Sequence, residues 1–224
     1  MIPFVPLRGI TLAECAELAR AAGREHWRRN GIPVYFYEAS ALRADRTRLE
    51  QIRKGGFHTL REVALTDERR RPDVGGPGLH PSAGASVFGA RKLLVAYNVN
   101  LQTDDVALAE RIARRIRASS GGFAGVKALG VYLESRGLAQ VTTTITDFEI
   151  SPVHAVFETI RDEAARAGVA VAGSELIGLL PRRALGLAGS TDFQWERWDD
   201  SMVLETRLEM AAQGRLQIAG LSSN

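Results

Sequence analysis

The spacing of apolar positions changes several times along the chain, and each change predicts an element. Residues 2–7 are short, apolar and broken by Pro3 and Pro6, which predicts an edge or terminal strand. Leu12, Cys15, Ala16, Ala19 and Ala22 then recur at helical spacing behind Thr11, whose hydroxyl suits an N-cap, and Asn30 with Gly31 supplies the stop. Residues 34–37 predict a strand. Residues 42–63 are helical in short pieces interrupted by Gly55 and Gly56, and residues 67–85 lose all period, which predicts a long loop.

The second half is more regular. A β-rich run over 93–99 leads into a helix over 104–118, with Val106, Ala109, Ile112, Ala113 and Ile116 as its buried stripe. Residues 126–134 and 138–149 predict a hairpin about Ser135, Arg136 and Gly137, with Val141, Thr143 and Ile145 on one face. A helix over 152–167 follows, with Val153, Val156, Phe157, Ile160 and Ala164 inward, and then a strand over 169–172. The order strand, helix, hairpin, helix, strand predicts an α+β protein with helices packed on largely antiparallel or mixed sheets. Residues 199–212 predict a last helix, with Met202, Leu204 and Leu208 as its apolar positions, and the expected units are 1–90, 91–212 and a tail from 213 to 224.

Composition excludes more than it identifies. A chain of 224 residues, 45% hydrophobic and 25% charged, is ordinary for a globular protein. No run approaches the roughly 18 to 20 apolar residues of a membrane span, and the N-terminal residues lack the features of a signal peptide, so a cytoplasmic location with no membrane partner is expected. The net charge is +3, with acidic residues interspersed among the basic ones. The densest basic run, 67–71, holds its own acids and no aromatics, so it predicts a solvated turn rather than a nucleic-acid surface. Arg111, Arg114, Arg115 and Arg117 form the wet face of their helix. The single Cys15 sits on an apolar helix face, and no Cys/His cluster has metal-ligand spacing, so no metal is expected.

The candidate chemistry lies in the long loop, at Gly75, Gly76, Pro77, Gly78, Leu79, His80, Pro81, Ser82, Ala83 and Gly84. Four glycines and two prolines in ten residues give a backbone that reaches φ > 0 yet is stiffened elsewhere, letting amides approach an anion or a planar heterocycle. The loop lacks the Gly-Lys-Ser/Thr of a phosphate-binding P-loop. Elsewhere, Asn98 and Asn100 share a strand face, as do Gln140, Thr142 and Thr144, and an open sheet face of this kind predicts solvent, or ligand contacts where the face lines a binding site. Asp147 and Glu149 are read as strand-end neighbours, and Arg8 could meet a carboxylate in bidentate fashion.

The segment PDVGGPGLHPSAGASVFGARKLLVAYNVNL (72–101) resembles the formiminotransferase family. So do FVPLRGITLAECAELA (4–19), IPVYFY (32–37), LESRGLAQVTTTITDFE (133–149), PVHAVFETIRDEA (152–164) and GSELIGLLP (173–181), in the same order. The resemblance implies two similar α/β subdomains, usually in a homodimer, with folate held between them. It implies transfer of the formimino group of N-formimino-L-glutamate to N5 of tetrahydrofolate, the co-substrate, in histidine catabolism. It also makes residues 75–84 the folate-binding segment, with Arg91 and Lys92 where the second subdomain begins.

The family's essential histidine belongs to a His-Pro-Arg segment shortly before a Pro-Phe-Val-Pro strand, and the present sequence opens at Met1 beside that strand. None of His26, His58, His80 and His154 aligns with it. The two helical ones, His26 and His58, are expected at the surface, and His80 is expected to bond loop backbone or line the ligand site. Acid/base help of this kind is worth about 10² to 10⁴ in rate, so the chain as written is expected to transfer slowly or not at all. An incomplete first subdomain is also expected to leave strand edges and apolar surface uncovered. Two alternatives accompany this reading: a non-catalytic folate-binding or subunit-pairing remnant, and a formyltransferase using N-formylglutamate.

Overall fold

Residues 1–214 are described by a computed structural model that divides into two units, Met1–Lys92 and Leu93–Asn224. Most of the expected tail, 215–224, lies outside the described residues. The break falls after Lys92, so the aperiodic stretch 67–85 is internal to the first unit.

The first unit runs β1 (Ile2–Phe4), α1 (Leu12–Asn30), β2 (Val34–Glu38), α2 (Leu49–Arg53), α3 (Gly56–Thr66) and β3 (Ser86–Ala90). Thr11 caps α1 through a capping box with Glu14, and Gly31 ends the helix at φ 63°. The strands lie in the order β1-β3-β2, and both pairings are parallel. A parallel sheet must be covered on both faces, and the alternation along β2 achieves this. Val34 and Phe36 pack with Phe88 and Trp27 on the face that carries α1, while Tyr35 and Tyr37 pack with Ile52 and Leu60. Close approach is built in at Gly89, where a Cβ would stand 2.4 Å from the Tyr37 ring directly opposite.

The second unit runs β4 (Val95–Leu101), α4 (Val106–Ile116), β5 (Val126–Leu133), β6 (Leu138–Ile145), α5 (Val153–Arg166), β7 (Val171–Ile177), α6 (Arg182–Leu187) and α7 (Leu204–Ala212). Its sheet is antiparallel throughout, in the order β5-β6-β4-β7, the split βαβ arrangement. One face is apolar: Tyr97, Val99, Val141 and Ile145 join Ile112, Ile116, Phe157 and Ile160 from α4 and α5 in a single core. The α+β expectation holds, with the strands of this unit's sheet paired antiparallel and those of the first unit's sheet paired parallel.

The helix α4 sits directly on β5 because residue 130 is glycine; a Cβ there would lie 2.2 Å from the backbone nitrogen of Glu110. Two α4-side groups also serve the outer edge of β5. Glu110 Oε2 accepts from the Gly130 amide at 3.0 Å, and Arg117 donates to the Ala128 carbonyl at 3.4 Å while pairing with Glu110 at 3.1 Å. Arg117 is therefore an edge-capping group rather than part of a wet face, whereas Arg111, Arg114 and Arg115 are exposed as expected.

Several boundaries differ from the sequence reading. Strand β6 stops at Ile145, opposite the first residue of β5, so Asp147 and Glu149 lie in the following turn and not on a strand. Asp147 Oδ1 accepts from the Glu149 amide at 3.2 Å, and Glu149 meets Arg183 at 2.8 Å. Strand β7 runs through Gly173 to Ile177. In the last helix Leu208 is exposed, and only Met202 among the three expected apolar positions packs on the core. No helix among the described residues is long and apolar enough to cross a membrane.

Candidate functional site

The 75–84 loop is held by its stem. Val34 and Val74 bridge β2 to the chain, with the Val34 amide donating to Val74 O at 2.9 Å and the Asp73 amide donating to Val34 O at 2.8 Å. The Asp73 carboxylate accepts from the Phe36 amide at 2.7 Å and lies 2.5 Å from Arg46 Nη1, both side chains being only 4% exposed. Arg46 Nη2 donates to the carbonyls of Arg69 at 3.1 Å and Arg71 at 2.5 Å, and its guanidinium lies over the Tyr35 ring. Burial pushes the Tyr35 phenol up to about 12, against the pull of Arg46. The 67–71 run is thus partly structural: Arg70 donates to the carbonyls of Gln51, Ile52 and Lys54.

Within the loop, Gly75 and Gly76 take φ of 76° and 97°, and the Gly76–Pro77 bond is cis. A Cβ at Gly75 would stand 2.7 Å from the Trp27 ring, and one at Gly84 would stand 2.8 Å from Phe57, so both ends are seated against aromatic faces. His80 and Gly84 exchange backbone hydrogen bonds at 2.7 and 2.9 Å. The His80 Nδ1 accepts from the amides of Ala83 at 3.0 Å and Ser82 at 3.3 Å, which assigns the proton of the neutral ring to Nε2. His80 therefore closes the turn by bonding backbone. Leu79 packs on the Tyr35 cluster, while Gly75, Gly76, Pro77, Pro81, Ser82 and Ala83 are exposed. A cavity of about 320 Å³ beside the stem, lined by Tyr35, Arg46, Ile52, Lys54 and Arg70 among others, contains none of the loop residues.

The other sequence candidates separate. Arg8 is exposed, and His58 is exposed as expected. His26 is half-buried rather than at the surface, with Nε2 2.9 Å from Ser86 Oγ and its ring against Phe88. The Arg91 amide donates to Phe4 O, and its guanidinium donates to Lys92 O.

The second unit presents a different constellation on the sheet face opposite its core. Asn98, Asn100, Gln140, Thr142 and Thr144 share that face, but Asn100 and Gln140 are buried, which corrects the expectation that the whole face is wet. What covers them is a salt-linked cluster the sequence reading did not find. Gln140 Nε2 donates to Asn100 Oδ1 at 2.7 Å, which turns the Asn100 amide to donate to Glu196 Oε1 at 2.7 Å and Glu175 Oε1 at 3.0 Å. Arg136 reaches across from the hairpin turn. Its Nη1 donates to Glu175 Oε1 and Glu196 Oε2, and its Nη2 to Glu196 Oε1, all at 2.8 Å.

Glu196 lies flat on the sheet because Gly173 is bare; a Cβ there would be 2.5 Å from Glu196 Cγ. Its segment is pinned from the other side by Phe193 and Trp195 edge-on to Tyr97, and by Glu196 N donating to Ser174 O at 3.0 Å. The Arg136 guanidinium, and then Asn100, hold the Glu196 carboxyl below the usual range, and Glu196 in turn raises Arg136.

Comparison with known proteins places both units. Residues 1–91 match the N-terminal subdomain of the formiminotransferase domain, and residues 96–222 match the formiminotransferase domain. A glutamate formimidoyltransferase of Streptococcus pyogenes serotype M1 is 44% identical over 207 residues, 92% of this chain and 69% of that protein. One of Thermoplasma acidophilum is 39% identical over 95% of this chain and 70% of its own length. The formimidoyltransferase-cyclodeaminase of Sus scrofa is 40% identical over 82% of this chain and 35% of its own length. With both units matched and this identity sustained over nearly all its residues, the chain belongs to the formiminotransferase family and is a transferase.

Proposed function

We propose that this protein is a glutamate formimidoyltransferase, moving the formimino group of N-formimino-L-glutamate to N5 of tetrahydrofolate in the cytoplasmic breakdown of histidine, as a homodimer. The observation that carries the reading is 44% identity over 92% of the chain to a protein of that name. The reaction needs a nitrogen of the acceptor to add to the amidine carbon, a tetrahedral intermediate, cleavage of the donor C–N bond, and a proton delivered to the departing glutamate nitrogen. A reduced pterin, flat in its pyrimidine half, suits a stiff glycine-rich backbone with exposed tips, and residues 75–84 supply one. The buried Arg46–Asp73 stem supports that role, since a loop fixed before the ligand arrives loses less entropy on binding.

Titration calorimetry with tetrahydrofolate tests this reading. Saturable binding by the wild-type chain, weakened at least about tenfold by Gly84→Ala, is expected, because the new Cβ must displace Phe57 and strain a backbone at φ 71°. Absence of folate binding, or binding indifferent to the loop variant, overturns the assignment of the loop.

A further inference from the structure

The carboxyl ends of β2 and β3 lie side by side in the first unit, and in open parallel sheets ligands gather at that end of the strands. Two residues there carry polar groups that the fold leaves unspent. Tyr37 is 2% exposed, and its hydroxyl makes no hydrogen bond among the described residues. The half-buried Arg91 acts on that hydroxyl from close by, but the contact lacks hydrogen-bond geometry. Its guanidinium donates to Lys92 O and pairs with no carboxylate among the described residues.

The sequence brings the two together. Val87 packs with Tyr35 and Tyr37, and the strand alternation that puts residues 87 and 89 on this face carries on to Arg91. Because residue 89 is glycine, the Tyr37 ring lies across β3; a Cβ there would overlap ring atoms Cδ1 and Cε1, both at 2.4 Å. Leu79 of the 75–84 loop packs on the same tyrosine cluster. The loop and the unspent pair therefore share one face of one unit.

We propose that Arg91 and Tyr37 form a carboxylate site for the L-glutamyl group that both substrates of the proposed reaction carry, the guanidinium gripping two oxygens and the hydroxyl supplying a further donor. This rests on the proposed formimidoyl transfer, and it assigns substrate recognition to residues outside the loop.

Two arguments support the site. Buried hydroxyls nearly always find a partner, and one without a bond costs the fold its full desolvation, so an orphan beside an arginine calls for an external acceptor. Burial pushes the Tyr37 phenol up, so it keeps its proton and can donate, while Arg91 pulls the other way and outweighs Glu38. The field at the hydroxyl is thus that of a cation, and a guanidinium fork with no acid of its own matches a carboxylate in two parallel bonds.

The test uses the full chain, calorimetry and three ligands: N-formimino-L-glutamate, tetrahydrofolate, and 6-methyltetrahydropterin, which has no glutamate. Arg91→Ala should weaken a glutamate-bearing ligand about 10- to 100-fold and leave 6-methyltetrahydropterin unchanged. A loss confined to N-formimino-L-glutamate assigns the site to the donor, and one confined to tetrahydrofolate assigns it to the acceptor's tail. Tyr37→Phe separates binding from structure. It should unfold at the same urea concentration as the wild type or a higher one, since it deletes an unpaired buried oxygen, and yet bind the same ligand about 3- to 10-fold more weakly.

If the wild type binds these ligands and Arg91→Ala weakens none of them, or weakens all three alike, the site is overturned while the functional reading stands. A destabilised Tyr37→Phe, or one with undiminished affinity, overturns the hydroxyl's part. If the wild type binds none of the three, the functional reading falls and the site with it.

Discussion

Replacing Asp73 by alanine tests whether the loop is held by its stem. The Asp73 carboxylate and the Arg46 guanidinium are each 4% exposed, so the pair does not belong with screened surface ion pairs worth less than about 1 kcal/mol. Removing the acid strands a buried guanidinium and leaves the Phe36 amide without its acceptor, a loss of about 3–5 kcal/mol. For a urea slope of about 2 kcal/mol per molar, the midpoint of the first unit should fall by about 2 M. The probe is Trp27, whose ring lies against Gly75, in a background where Trp195 and Trp198 are phenylalanine. Asp73→Asn should fall between, since its amide oxygen still accepts from Phe36 but carries no charge. A double-mutant cycle with Arg46→Met should give a coupling above about 1 kcal/mol. A midpoint shift in Asp73→Ala below about 0.5 M, or no coupling, would refute the claim that this pair fixes the loop.

Gly130→Ala should destabilise the second unit by about 1–3 kcal/mol or more, because its Cβ meets helix backbone that can yield only by lifting α4; an unchanged thermal midpoint would show that the contact is slack. Acid should loosen the Arg136 clasp. The Glu196 carboxyl is held low in the folded chain, so its contribution is complete above its ordinary value of 4.5 and is lost as the pH falls through the lower folded value. Near-UV dichroism of Trp195 and Trp198 should follow that loss, and an identical acid profile in Glu196→Gln would contradict it. His80→Ala removes the acceptor of two turn amides and should cost about 1 kcal/mol of stability while weakening tetrahydrofolate binding; undiminished affinity would free the turn from any role in the ligand site.

What the sequence disclosed follows the range of the interactions involved. The start of α1 was readable because Thr11 lies within one turn of the amide it caps. The 75–84 loop was readable because its composition is its conformation. Its anchor was not, since α2 and α3 separate Arg46 from Asp73 along the chain and the two meet only where Asp73 returns alongside β2. Arg136, Glu175 and Glu196 escaped for the same reason: nothing in a run such as FQWERW says that its glutamate will lie on a strand that has a glycine at the matching position. The polar alternation after Ile145 suggested a longer strand, but a strand ends where its partner begins, and β5 begins at Val126.

The edge of β5 carries one more implication. An open edge strand offers its amides and carbonyls to any passing β-segment, including another copy of itself. Here Glu110 and Arg117 already occupy the Gly130 amide and the Ala128 carbonyl, so an incoming strand must evict an ion pair before it can add a rung. The helix that covers the core thus also guards the sheet against templated growth.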